Sequence, residues 1–474
     1  LNRANNVVLP GTLRTAWSVE SGAPISASPS VVDGTLFLGN NAGRFLAIDV
    51  RTGRVRWRAS MPDALMTAPL VVGDDVIVGE GNENSMVRRG VVHVGSGDDA
   101  LIAFDRRSGT LRWRSAVAGT AMPTPVYLGG RILAHNGDGE LVALMPQDGR
   151  IVYVRDLGTI PSMVALLPIS RDALVTGGQT ETSIVAVRAS DGSVIWRRPF
   201  PGGSGLGDCP LVSDGRRIFG DYLLPAPHEP FVLAGRRNEE RAYALDARTG
   251  APLWDVHLEN GIVPQRNQAA IPLLHENTLF IGSSVARMMH ALDPETGRLR
   301  WRRRVGGTVK GGLVATRGTV FFGDLSGRLW ALRERDGAVA GVANAGTPFN
   351  VGSPIVVGET LVIGSLTGRI LALPLGTLLA ARDVAAAPER VRAWLAPRIL
   401  ARFRSADLNG DGVLTRGEFA RAFPPAAFAR VDRNGDGAIT PLEFGMSFGS
   451  VVGGRRGRSA DAAERAAPPA APPS

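Results

Sequence analysis

Two twelve-residue stretches carry oxygen donors at a spacing that suits a hard cation: DLNGDGVLTRGE at 407–418 and DRNGDGAITPLE at 432–443. In each, side-chain oxygens recur at positions 1, 3 and 5, from Asp407, Asn409 and Asp411 and then from Asp432, Asn434 and Asp436. Gly412 and Gly437 stand at position 6, where the chain must turn sharply. Val413 and Ala438 offer backbone carbonyls at position 7, and Thr415 and Thr440 act at position 9 directly or through water. Glu418 and Glu443 close each shell with both carboxylate oxygens. Calcium takes six to eight oxygen ligands, so these residues predict two EF-hand calcium sites. Leu414 and Ile439, at position 8, suit a short strand pairing between the loops. Phe403, Phe419, Phe428 and Phe444 are expected to fill a small helical core. One short segment, FARAFPPAAFARV, must serve both hands, which makes the pair compact.

Other chemistry-bearing residues are isolated. The six histidines (His93, His135, His228, His257, His275 and His290) show no metal-binding sequence spacing, and hydrogen-bonded or solvated roles are expected for each. The single cysteine, Cys209, excludes an internal disulfide framework and has no base near it in sequence. GGSGLGDCP at 202–210 lacks the Lys-Ser/Thr of a phosphate loop and suits a connection between repeats.

The scaffold is legible from an internal repeat. AIDVRTGRVRW at 47–57 recurs in altered form from Ala103, Ala143, Ala186, Ala244 and Ala291, then as a worn copy from Ala331 and a truncated one, ALPLGT, from Ala372. Alternating apolar and polar residues flank a Gly that turns the chain, so each copy is a hairpin. The Asp of the motif can accept backbone hydrogen bonds within the turn, and the Trp offers a flat face to a neighbouring unit. Two further strands precede the hairpins, for example SASPSVV (26–32) and TLFLGN (35–40), GGLVATR (311–317) and TVFFGD (319–324), and GSPIVVG (352–358) and TLVIGS (360–365). Four strands make one propeller blade.

The last repeat lacks its Trp strand, while TLRTAWSVE near the N-terminus is a Trp strand with no hairpin. Pairing the two closes a ring and leaves no open sheet edge there. The expected fold is an all-β propeller of eight four-stranded blades closed by the N-terminal strand, plus a small α-helical EF-hand module. The corresponding divisions are 1–376 for the propeller, 377–404 for a linker and helix, 405–450 for the EF-hand pair and 451–474 for a disordered Pro/Ala-rich tail. Insertions at 79–99 and 222–241 interrupt two blades, and such excursions on a rigid scaffold are where function tends to sit.

Net charge is +9, almost all of it arginine, with Lys310 the only lysine. The charges are scattered over strands apart from RRGR at 455–458, so no nucleic-acid partner is expected. No apolar run reaches the roughly 18 residues of a membrane span, so no transmembrane segment is expected. The chain opens on LNRANNVVLPG, and we expect a leader to have been removed and the protein to be periplasmic or secreted.

The hairpin repeat resembles the pyrroloquinoline quinone (PQQ) repeat family of bacterial propellers over roughly residues 11–376. The resemblance implies one of two functions. One branch, similar to the barrel-assembly lipoprotein of bacterial outer membranes, consists of non-catalytic interaction scaffolds. The other, the quinoprotein alcohol dehydrogenases, holds the quinone and calcium in the central funnel. VGEGNENS (78–85) looks like the enzyme segment that supplies an asparagine calcium ligand, here Asn82, and VKGGLVATRGTVFFGDLSGRLWALRERDG (309–337) resembles a late enzyme blade in which Lys310 would approach the quinone. The enzymes' adjacent cysteine pair, a match for their catalytic aspartate segment and a CxxCH haem site are missing. The expectation is therefore a calcium-binding scaffold with a protein or polymer partner, two EF-hand calcium ions as its cofactors and no catalytic residues. The alternative is a PQQ-dependent alcohol dehydrogenase that uses Asn82 and Lys310.

Overall fold

A computed structural model describes residues 15–81, 85–88, 91–95, 98–159, 165–178, 183–200, 211–225, 237–262 and 270–381. In the C-terminal part it describes 402–403, 405–406, 414–431, 438–439 and 444. The chain divides into two compact units, Leu1–Ala386 and Ala387–Ser474.

The first unit is an eight-bladed propeller of four-stranded antiparallel sheets. Blade 1 pairs Ser30–Val32, Thr35–Gly39, Arg44–Asp49 and Val55–Ser60 in chain order. Blades 2 to 7 repeat this, ending with Val314–Thr316, Thr319–Gly323, Arg328–Arg333 and Val339–Asn344 in blade 7. Blade 8 takes Ile355–Val357, Thr360–Gly364 and Arg369–Pro374, and Trp17–Glu20 completes it by pairing Trp17 with Ala372 and Glu20 with Arg369. The N-terminal strand thus closes the ring, as the orphan Trp implied. The innermost strands are shorter than the sequence pattern suggested. Ser26–Pro29 precede the strand, because Pro29 has no N–H to give the ladder.

The repeat has a physical basis in each hairpin. The motif Ala sits directly opposite the position-eleven residue, as in Ala47 opposite Trp57 and Ala291 opposite Trp301, and the register shifts immediately after the Ala. A bulky ring and a small Cβ fill that pair together. Asp49 Oδ1 accepts from Thr52 N at 2.9 Å and Thr52 Oγ1 at 2.8 Å, while Gly53 takes a left-handed φ of 74°. Arg56 beside Asp49 holds its carboxyl down to about 2.

Each ring then clasps the next blade. The indole N–H of Trp17 donates to Val50 O (2.9 Å), that of Trp57 to Arg106 O (3.1 Å), Trp113 to Pro146 O (2.9 Å) and Trp196 to Ala247 O (3.2 Å). Trp254 donates to Pro294 O and Trp301 to Glu334 O, and Tyr153 does the same through its hydroxyl to Ala189 O. The same rings lie over the hairpin glycines: a Cβ on Gly53 would stand 2.8 Å from Trp17, and one on Gly109 2.6 Å from Trp57. Gly and Trp of the motif therefore form one inter-blade contact.

The worn copies break this contact as a pair. Blade 7 has Gly341 where the Trp would stand, and blade 8 ends in the helix α1 (Leu375–Ala380) instead of a hairpin. A Cβ at 341 would collide with the carbonyl of Leu378 in α1. Between blades lie apolar clusters such as Phe37, Phe45, Leu65, Val76 and Phe104, and each large apolar side chain fully buried there contributes about 1.5–3 kcal/mol. Outer strands alternate half-buried and exposed residues, as in Val55–Ser60.

In the second unit, α2 (Arg416–Ala422), a 3-10 turn (Pro425–Ala427) and α3 (Phe428–Val431) pack around Phe403, Leu414, Phe419, Phe428, Ile439 and Phe444. Leu414 pairs with Ile439 and Thr415 with Ala438, the expected loop-to-loop strand. The 451–474 stretch, and the 377–404 stretch beyond Ala381 except for Arg402 and Phe403, lie outside the described residues. No described helix is long and apolar enough to cross a membrane.

Candidate functional site

Antiparallel order sorts the connections onto two faces. Links from second to third strand, and from one blade to the next, share one face; the tight turns from first to second and from third to fourth strand share the other. Both insertions interrupt second-to-third links, in blades 2 and 5, so they rise from the same face. Lys310, in the connection from blade 6 to blade 7, belongs to that face too.

The two insertions are built differently. In blade 2, Ser85–Arg88 and Val91–Val94 form a separate hairpin. In blade 5 the blade strands themselves lengthen to Arg217–Leu224, Arg237–Asp246 and Pro252–Ile262; the second and third stay paired out to Leu224 opposite Glu239, and the third and fourth reach Arg237 opposite Ile262 with a register shift between Glu240 and Arg241.

A buried glutamate lies at the root of each insertion. Glu80 accepts from Asp63 N at 2.9 Å and pairs with Arg114 at 3.2 Å. Glu240 accepts from Ser283 Oγ at 2.5 Å, Ser284 N at 2.8 Å and Ser284 Oγ at 3.0 Å. Burial pushes the Glu240 carboxyl up, and the serine hydrogen bonds oppose that. Opposite it in register stands Glu259, which the hydrogen bond from His290 Nε2 (3.1 Å) holds below the usual range. Farther along, Tyr222 donates to Asp255 at 2.8 Å and Arg241 bridges Asp255 and Glu239, both at 2.6 Å. These groups hold the protruding strands in one geometry, since a buried carboxylate without partners would be costly. Sequence reasoning missed them. The one available signal was charge inside strands that otherwise face a core.

Histidine roles follow the sequence expectation where they are described. His135 is fully buried, with Nε2 donating to Thr159 O at 3.0 Å and Nδ1 accepting from Thr176 Oγ1 at 2.9 Å. Burial lowers its pKa to about 4.

Lys310 is 1% exposed, and the two residues after it pack against the next connection. A Cβ on Gly311 would strike Asn350 O and one on Gly312 would strike Ser353 Oγ, both in the blade 7 to blade 8 connection. Asn82 lies outside the described residues, and the chain has only one cysteine. Of the two residues expected at a quinone site, only Lys310 is therefore placed, as a buried side chain in the connection from blade 6 to blade 7.

Thr415 caps α2: its Oγ1 accepts from Glu418 N at 3.3 Å, while Glu418 Oε2 accepts from Thr415 N at 2.9 Å and Thr415 Oγ1 at 2.7 Å. This capping box fixes the buried Glu418 carboxylate at the end of its loop, where an oxygen ligand is needed. Ala438 stands in the strand pair opposite Thr415. Asp407, Asn409, Asp411, Val413, Asp432, Asn434, Asp436, Thr440 and Glu443 lie outside the described residues.

Comparisons with known proteins agree with this architecture. The family model described as outer membrane protein assembly factor BamB matches residues 8–88, 80–216 and 238–422, and the EF-hand model matches 426–448. Tetrathionate hydrolase of Acidithiobacillus ferrooxidans is 27% identical over 311 residues, covering 62% of this chain and 61% of that protein. BamB of Yersinia pestis is 24% identical over 253 residues, covering 50% of this chain and 59% of that protein. The chain thus spans about three-fifths of the length of these relatives. The solved quinohemoprotein alcohol dehydrogenase ADHIIG of Pseudomonas putida HK5 shares the fold, with a TM-score of 0.57 at 15% identity, covering 92% of this chain and 90% of that one. With the model covering most of the propeller, and the repeat explained blade by blade, the chain belongs to the PQQ-repeat propeller family that includes the outer membrane assembly factor BamB.

Proposed function

We propose that this protein is a calcium-binding, periplasmic or secreted interaction scaffold without catalysis, which presents the insertion-bearing face of its propeller to a protein or polymer partner. The observation that carries the reading is that both insertions rise from one face, each rooted on a buried, hydrogen-bonded glutamate. Lengthened strands paired out to Glu239 and Ile262 stiffen the blade 5 projection, and preorganisation of that kind lowers the entropy lost on binding. The burial of Lys310 supports the scaffold over the quinoprotein alternative. Calcium in the two loops, held by the ligand set from Asp407 to Glu418 and from Asp432 to Glu443, would fold the C-terminal module. The proposed divisions are 1–376, 377–404, 405–450 and 451–474.

Site-specific photocrosslinking tests this in cells. A crosslinker placed within 226–236 should trap a defined partner, and one placed at Arg248, in a turn of the opposite face, should not. Equal yields from both positions would remove the basis for a binding face. Stoichiometric quinone uptake with dye-linked alcohol oxidation, or hydrolysis of tetrathionate by the purified protein, would replace the scaffold with an enzyme.

A further inference from the structure

We infer that His275, Glu276 and Glu334 form a divalent transition-metal site at the seam between blades 6 and 7, on the face opposite the insertions. His275 ends the first strand of blade 6, Leu273–His275. Glu276 and Asn277 make the tight turn that follows, with φ of 42° and 58°. Glu334 lies in the third-to-fourth-strand turn of blade 7, directly after Arg328–Arg333. One donor atom from each of the three lies within 4.8 Å of the other two.

Two observations separate this cluster from an ordinary inter-blade bond. The first is its charge. Two other seams on this face are joined by opposite charges: Arg106 with Asp33 between blades 1 and 2 at 2.6 Å, and Arg317 with Glu359 between blades 7 and 8. The seam between blades 6 and 7 instead brings two carboxylates to one imidazole. A cation resolves that repulsion.

The second is an unsatisfied atom. The Glu334 side chain is only 9% exposed. Its Oε2 accepts from His275 Nδ1 at 2.9 Å, yet its Oε1 is buried with no hydrogen-bond partner among the described residues. Buried carboxylate oxygens are normally satisfied, and a metal ion supplies what Oε1 lacks. The backbone of Glu334 is fixed on both sides, its N donating to Gly318 O at 2.9 Å and its O accepting from Trp301 Nε1 at 2.7 Å. The carboxylate is therefore held in place, while the exposed Glu276 is free to swing onto an ion.

Donor chemistry selects the ion. One imidazole nitrogen with two carboxylate oxygens suits zinc or a neighbouring first-row divalent cation, whereas calcium prefers oxygen alone. The two carboxylates balance the charge of a divalent ion when the imidazole is neutral. Nδ1 can take the metal with the ring proton moved to Nε2, so a neutral ring releases no net proton. Three protein ligands leave the remaining positions to water.

Calorimetric titration of the full chain with Zn2+, in saturating calcium so that the EF-hand loops are filled, tests the assignment. Wild type should bind one more zinc equivalent than His275→Ala. Glu276→Ala, a change at an exposed turn that leaves folding intact, should weaken that site by about ten- to a hundred-fold, the range seen for losing even supporting contacts at metal centres. Co2+ in place of zinc should give a visible ligand-field band that fades in Glu276→Ala and in Glu334→Gln. If wild type, His275→Ala and Glu276→Ala take up zinc with equal stoichiometry and affinity, or wild type takes up none, the seam holds only a hydrogen bond and the assignment is wrong.

Discussion

The contact between blades 8 and 1 made by Trp17 and Gly53 can be isolated by a double-mutant cycle. Trp17 is buried in the fourth strand of blade 8, and Gly53 turns the hairpin of blade 1. Replacing Gly53 by Ala has two separable costs. Its φ of 74° lies in the left-handed region, which costs an L-residue about 1–2 kcal/mol. Its new Cβ would stand 2.8 Å from Cγ and Cδ2 of Trp17, inside ordinary contact distance, and overpacking of this kind costs about 1–3 kcal/mol. Trp17→Ala alone should cost about 3–5 kcal/mol for the vacated ring site, including the lost hydrogen bond to Val50 O. In the Trp17→Ala background the collision is gone, so Gly53→Ala should cost only its backbone share. The predicted coupling is therefore about 1–3 kcal/mol, the collision part of the Gly53→Ala cost. Urea unfolding of wild type, both single variants and the double variant, followed by tryptophan fluorescence and circular dichroism, measures it. Additive costs would show that Trp17 and Gly53 do not pack against each other.

Gly341→Ala should destabilise the propeller although the glycine lies in a strand, because its Cβ meets the Leu378 carbonyl of α1; a melting temperature equal to wild type would refute that packing. Glu418→Gln should abolish calcium binding by the first loop and leave the second loop its own ion, read as one equivalent lost in calorimetry; two equivalents remaining would deny Glu418 its ligand role. His135 has its pKa lowered from 6.5 to about 4 by burial, so the unfolded chain takes up the proton first. Its contribution is complete above about pH 6.5 and is lost as pH falls towards 4, by up to about 1.4 kcal/mol per unit. Urea midpoints measured across that window should fall less steeply in His135→Gln than in wild type, and parallel curves would contradict the assignment. Asp49, Asp105 and Asp293, each held down to about 2 by turn hydrogen bonds and an arginine, act at lower pH: their stabilisation is present above about pH 4 and declines towards 2. Asp105→Asn should flatten the acid limb of the same measurement, and an unchanged limb would show the turn contributes nothing there.

Blade number, closure by Trp17 and the EF-hand module were legible in the residues alone. Each is written as short-range spacing: an Ala opposite a Trp across a hairpin, a turn Gly between them, and oxygen donors alternating along one loop. Local chain geometry converts such spacings directly into structure, so no distant residue is needed to recognise them. Only the tertiary structure decided that Gly and Trp of successive motifs touch each other, and that α1 takes the place of the Trp missing at Gly341. It also decided that Lys310 is buried, and that Glu240 meets Ser283 and Ser284 across a blade boundary. His275 shows the difference most plainly. Its partner Glu334 lies 59 residues away, beyond any sequence spacing that marks a metal ligand. The two meet because two blades, each built from local signals, stack in a register that the closed ring imposes.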